Sequence, residues 1–178
     1  MEILYTKRLD NLGIVMGTLK EFGIIDLIDQ KIGKDDQQNV STGEAVAAMV
    51  MNGLGFVSRP LSLTPQFFVT SFFLRKPARI MALLMIMTLS LLMYSVTQRH
   101  LRKQLIEKNE TLPNQIDAPI KNPTMRWIFQ LMEGIDVIYV RIKDVIYKKI
   151  MGITELRQKI ISFFFEPVQK IYETAEMG

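Results

Sequence analysis

The side chains best placed to do chemistry are two acidic pairs, Asp26 with Asp29 and Asp35 with Asp36, and a single histidine, His100. Paired carboxylates could hold a divalent cation, but two-metal phosphoryl chemistry needs several of them converging on ions roughly 3.5–4 Å apart. Asp26 and Asp29 would share a helix face and Asp35-Asp36 would sit in a polar loop, so each pair is expected as solvated surface charge. His100 stands between Arg99 and Leu101 with no acidic or histidine neighbour at ligand spacing, so a zinc site is not expected and His100 reads as a surface residue. Cysteine is absent, which excludes disulfides and thiolate metal sites and suits a reducing cytoplasm. No phosphate-cradling glycine loop (GxxxxGKS/T or GxGxxG) and no GxSxG elbow occurs. With one histidine and no cysteine, the usual nucleophilic triads lack their members.

Basic charge remains. The formal net charge is +4, unevenly spread: residues 1–68 carry 6 basic and 8 acidic side chains, and residues 69–178 carry 16 and 10. The resulting −2 and +6 separate two parts of the chain, and the basic excess of the second is compatible with a nucleic-acid partner.

Several elements would have to position such charges. Leu12, Val15, Met16, Leu19 and Phe22 fall on one face of a helix that Gly23 can end. A short second helix should hold Ile24, Ile25, Leu27 and Ile28 and stop near Gly33, with a polar loop over Lys34–Asn39. Ser41-Thr42-Gly43-Glu44 has the form of a capping box, predicting a helix over Thr42–Asn52 whose apolar face holds Ala45, Val46, Met49 and Val50. Three short helices with tight joints could form a helix-turn-helix, yet residues 41–52 contain no lysine or arginine, which favours plain core packing.

Pro77 suits the first position of a long helix running to about Lys108. Ile80 to Val96 is uncharged, and Arg99, Arg102, Lys103, Glu107 and Lys108 then interleave with Leu101, Leu105 and Ile106. Its uncharged part lies at the short edge of what crosses a bilayer, with positive charge at both ends, and a buried core helix is the preferred reading. Pro113, Pro119 and Pro123 mark a loop over 110–123. A helix over 123–133 follows, with Pro123 near its first turn, and then a β-hairpin over 135–151 with its polar point at Lys143-Asp144. Thr154 should cap a final helix over 154–174 that Pro167 kinks. The N-terminus, Met1 to Arg8, lacks the apolar core and small-residue site of a signal peptide.

Two blocks resemble one family. Residues 7–33, KRLDNLGIVMGTLKEFGIIDLIDQKIG, and residues 41–68, STGEAVAAMVMNGLGFVSRPLSLTPQFF, resemble the N-terminal domain of insertion-sequence transposases of the IS-four superfamily. Residues 70–133, beginning TSFFLRKPARIMALLMIMTLSLLMYSVTQRHLRKQ, resemble the C-terminal part of the same proteins. In that family a long RNase-H-like segment lies between the blocks, carrying an Asp-Asp-Glu triad that binds two divalent metals such as Mg2+. Here the blocks join at about Phe67–Thr70. The family's tyrosine–arginine–glutamate–lysine signature, with arginine at +3 and glutamate at +7, is not met: Tyr5 has Arg8 but then Leu12, and Tyr94, Tyr139, Tyr147 and Tyr172 fail at the first step.

The resemblance implies a mainly α protein: a helical N-terminal module over 1–68, and over 69–178 a long-helix C-terminal remnant of the RNase-H-like transposase with one β-hairpin. It implies an internally deleted, catalytically inactive transposase-derived protein with residual DNA binding, no catalytic or metal-ligating residue and no cofactor of its own. DNA contacts are expected first from Lys7, Arg8, Lys20 and Arg59, then from Arg99, Arg102, Lys103, Lys148 and Lys149. The expected partners are the terminal inverted repeats of the element, a second copy, or a full-length transposase poisoned through mixed oligomers. A small single-span membrane protein is the rival reading, a membrane is not the expected partner, and the expected location is the cytoplasm.

Overall fold

The computed structural model describes residues 2–33, 39–54, 77–142, 145–173 and 175–177. The expected joint at 67–70, Arg59, most of the polar loop after Gly33 and the hairpin tip at Lys143-Asp144 lie outside them. The protein is mainly α, with seven helices and six strands among the described residues. It divides into two compact units, residues 1–21 with 96–178, and residues 22–95, so the division by packing differs from the one expected at residue 68.

Helix α1 (Leu12–Glu21) belongs to the first of these units; the unit of residues 22–95 begins with α2 (Ile24–Ile32), after Gly23 in the left-handed region at φ 59°, and continues with α3 (Thr42–Gly53). The capping box forms: Ser41 Oγ accepts from the Glu44 amide at 3.1 Å and Glu44 Oε2 accepts from the Ser41 amide at 2.9 Å. Asp29 departs from its expectation as solvated charge, because its Oδ1 accepts from the Gly43 amide at 2.7 Å and satisfies another free donor at the start of α3. Gly43 is also where α3 meets the Ile25 carbonyl too closely for any side chain. That approach rotates the buried face to Gly43, Ala47 and Val50, leaving Met49 exposed, against the expected set.

The long helix α4 (Pro77–Glu107) starts in this unit and ends in the other. In its first half Ser90 and Met93 are buried, and Ser90 Oγ donates to the Ile86 carbonyl at 2.8 Å and to the Val50 carbonyl at 3.4 Å. The expectation of a core helix fails on the opposite side, where Met81, Leu84, Met85, Leu91 and Leu92 stand exposed. By length and composition alone, Met81–Glu107 could span a bilayer.

The other unit joins the chain start to its C-terminal half. Its sheet is antiparallel throughout, in the order β1 (Glu2–Arg8), β4 (Asp136–Ile142), β5 (Val145–Met151), β6 (Ala175–Met177). The expected hairpin is therefore only its centre. Strand β1 was not expected, since a strand with no partner in its neighbourhood has no local signal, and its partner lies over 120 residues away. Asp10, at φ 42°, closes that contact: its Oδ1 accepts from the amides of Gly134 at 2.7 Å and Ile135 at 3.2 Å.

Helix α1 (Leu12–Glu21) buries Gly13, Ile14, Val15, Gly17, Thr18 and Leu19, while Phe22 is exposed. The face expected from apolar spacing is thus rotated toward the small residues. The cause is close approach to the C-terminal helix α7 (Glu166–Ile171), where a side chain on Gly17 would collide with Val168. Between these ends, a two-residue ladder pairs β2 (Leu112–Pro113) with β3 (Pro119–Ile120) inside the expected loop. Helix α5 (Met125–Leu131) is capped by Thr124, so Pro123 precedes the cap rather than occupying the first turn. The single helix expected over 154–174 is two, α6 (Glu155–Ile161) and α7, because Pro167 sits in the first turn of a new helix behind an extended Phe165. Leu101, Leu105, Ile128, Met132 and Ile160 form the floor of this unit's core, all with no exposed surface.

Candidate nucleic-acid interface

A duplex is held by cations aimed at phosphates, and bases stack on exposed aromatic rings where strands are single. Eight of the nine expected basic residues fall in one compact unit, which carries 16 basic and 13 acidic side chains, net +3. Arg59 lies outside the described residues.

Strand register sorts four of the eight by face, because alternate residues point oppositely. Tyr5 pairs with Tyr139, which pairs with Lys148, and Lys7 pairs with Val137 two residues along. Lys7, Tyr5, Tyr139 and Lys148 therefore share one face. The Tyr5 and Tyr139 rings stack with centroids 4.5 Å apart, and Lys7 Nζ lies 5.2 Å from the Tyr5 ring centre, within cation–π reach. Arg8 and Lys149 lie on the opposite face, since Arg8 pairs with Asp136 and Lys149 with Ile138.

Availability differs among them. Lys148 is half-buried and donates to the Ile171 carbonyl at 2.6 Å; burial holds its amine below the usual lysine range, Glu173 raises it, and Lys20 pushes it down again. Arg102 Nε donates to the Pro123 carbonyl at 3.0 Å, and Lys103 pairs with Glu107 at 3.6 Å. Among the described residues, the ion pair of Arg8 is a long 3.8 Å contact to Asp10. Lys20, Arg99 and Lys149 are exposed and form no ion pair among the described residues. The structure thus presents a sheet face bearing Lys7 and two tyrosines, Lys20 at the end of α1, and Arg99 on α4, and it assigns Arg102 and Lys148 to holding backbone.

Sequence reasoning missed Tyr5, Tyr139 and the exposed Arg141, which pairs with Glu2 at 3.6 Å. The signal available was the period-2 placement of Tyr5 and Lys7, readable only once a partner strand is known.

Among the described residues, no group of three or more acidic or histidine side chains could hold a metal ion. A cleft of about 340 Å³ between β5, α6 and α7 is lined by Gln158, Ser162, Gln169, Tyr172 and Glu173 among apolar residues, and the Ser162 hydroxyl donates to the Lys159 carbonyl at 2.8 Å. His100 is not the surface residue expected. It is half-buried with its ring stacked on Phe165, centroids 3.8 Å apart.

Desolvation by that burial lowers the His100 pKa below 6.5, more than the Phe163 backbone contact and Glu21 raise it. The unfolded chain therefore takes up a proton first as pH falls. The stability tied to neutral His100 is complete above about pH 6.5 and drains away as pH drops through the lower folded value. Thermal melts should show a falling Tm between pH 7 and 5.5, and His100→Phe, which preserves the stacking, should flatten that part of the curve. An unchanged slope in the variant would assign the pH response elsewhere.

Residues 4–73 match a family model described as a domain of unknown function, DUF4277. No curated protein and no solved structure shows a significant match to the chain. Both N-terminal blocks quoted above lie inside the matched residues, and residues 74–178 lie beyond them.

Proposed function

We propose that this chain is a transposase-derived, DNA-contacting protein that has no strand-cutting chemistry of its own and works in the cytoplasm. The DNA part rests on one observation: exposed cations and a stacked tyrosine pair are gathered on the same compact unit. The family part rests on the two sequence blocks that resemble opposite ends of one kind of enzyme. Lys7, Lys20 and Arg99 make the phosphate contacts, while Arg8 and Lys149 face away on the other side of the sheet. Tyr5 and Tyr139 offer a ring face to unpaired bases at a melted or overhanging end. The second half-site of a terminal repeat would need a second copy.

Fluorescence anisotropy with a labelled duplex carrying the terminal repeats, and a scrambled duplex beside it, tests this reading. Binding should weaken steeply as salt rises from 50 to 200 mM. The double variant Lys7→Ala/Lys20→Ala should weaken binding about tenfold to both duplexes, and each lysine lost should lower the salt slope by about one. Salt-insensitive or undetectable binding overturns the proposal. Supercoiled plasmid bearing the repeats should stay intact with Mg2+ present; magnesium-dependent nicking would refute the non-cutting part.

A further inference from the structure

The exposed side of α4 carries a repeat that its packed side does not. Met81, Leu84, Thr88, Leu91 and Ser95 follow one another at spacings of 3, 4, 3 and 4, the seam of a two-helix coil. All five are exposed, flanked by exposed Met85, Met87 and Leu92, and none of the eight is charged. The other side of the same stretch is already covered, through Ser90 and Met93.

Two details prepare the seam for a dry contact. The Thr88 hydroxyl donates to the Leu84 carbonyl and the Ser95 hydroxyl to the Leu91 carbonyl, both at 2.8 Å, so neither needs water when covered. The large residues are also 42 to 67% exposed. Six such side chains leave roughly 650 Å² per copy, or roughly 1,300 Å² for a symmetric pair, within the span of stable interfaces.

We infer that two copies of this chain pair through this face of α4, with the helices antiparallel and the symmetry axis crossing between residues 89 and 90. That alignment sets Leu84 against Ser95 and Thr88 against Leu91, one large and one small side chain in each of the four central layers. A parallel pair would set Leu84 on Leu84 and Thr88 on Thr88, alternating crowded layers with empty ones. A bilayer is the weaker occupant, because only a stripe of the helix is open and its reverse side is packed in protein. The inference holds whether or not the chain binds DNA.

Sedimentation velocity should show a dimer at micromolar concentration. Leu84→Glu, at an exposed position, should weaken pairing by about 100-fold, since the pair would bury an unpaired charge, while circular dichroism stays that of the parent. The chain has no cysteine, so orientation can be read by disulfide trapping. Mixed Thr88→Cys and Leu91→Cys chains should form a mixed disulfide, and Thr88→Cys alone should form far less. A monomer at 100 µM overturns the inference. So does flotation with anionic vesicles at the expense of the dimer, which would show lipid to be the occupant. Efficient Thr88 self-linkage overturns the antiparallel arrangement.

Discussion

Gly17→Val should strongly destabilise the unit that holds the sheet. A side chain there would begin 2.5 Å from Val168 Cγ2, 2.6 Å from its Cα and 2.7 Å from its amide nitrogen. Two of those atoms are backbone, so the clash cannot be relieved by turning a rotamer; α1 and α7 must separate. Overpacking of this kind costs about 3 kcal/mol or more, a large share of a stability of about 5–15 kcal/mol. Thermal or urea melts of Gly17→Val should therefore show Tm lower by about 10–20 °C. Gly23→Ala supplies the contrast, because Gly23 has open space around it and only its φ of 59° to oppose a side chain. Its cost should be about 1 kcal/mol, from backbone strain alone. Equal losses in the two variants would mean that close packing of α1 on α7 is not what holds the unit together.

Arg157 carries the second large effect. Its Nε donates to the Leu131 carbonyl at 2.8 Å, and its two terminal nitrogens donate to the carbonyls of Glu133 and Gly152. Leu131 and Glu133 sit at the end of α5, where helix carbonyls have no partner in the helix, and Gly152 follows β5. One planar cation thus joins the end of a helix to the end of the hairpin that follows it. Arg157→Met keeps the stem and removes all three bonds; the Glu133 and Gly152 carbonyls are exposed and can turn to water, so the loss in urea melts should be about 1–2 kcal/mol. Arg157→Lys should recover less than half, because an ammonium is a point donor without the fork. Full recovery by lysine would show that charge near the helix end, rather than the three-way geometry, is what counts.

These two residues also mark what could not be read beforehand. Gly17 carries no hydrophobic signal, so a face drawn through Leu12, Met16 and Phe22 looked better than the one that packs. Arg157 resembles any other cation on an amphipathic helix until the carbonyls of α5 are placed beside it. The basic residues show the same limit. Lys148 and Lys149 are adjacent and equal in sequence, yet one is half-buried and tied to Ile171 while the other is exposed. A strand sends neighbours to opposite faces, and only the partner elements decide which face is covered.

Features whose cause lies within a few residues were legible in advance. The reciprocal bonds of Ser41 and Glu44, the start of α4 at Pro77 and the adjacency of β4 and β5 all depend on short-range geometry, and each stands in the structure. The mainly helical class follows from the same local signals added along the chain. Tertiary structure alone decided the pairing of β1 with β4, the role of Asp29 at the head of α3, the burial of His100 against Phe165 and the open seam on α4. In each of these the energy comes from a group distant in the chain, and no pattern along the backbone records where that group will be.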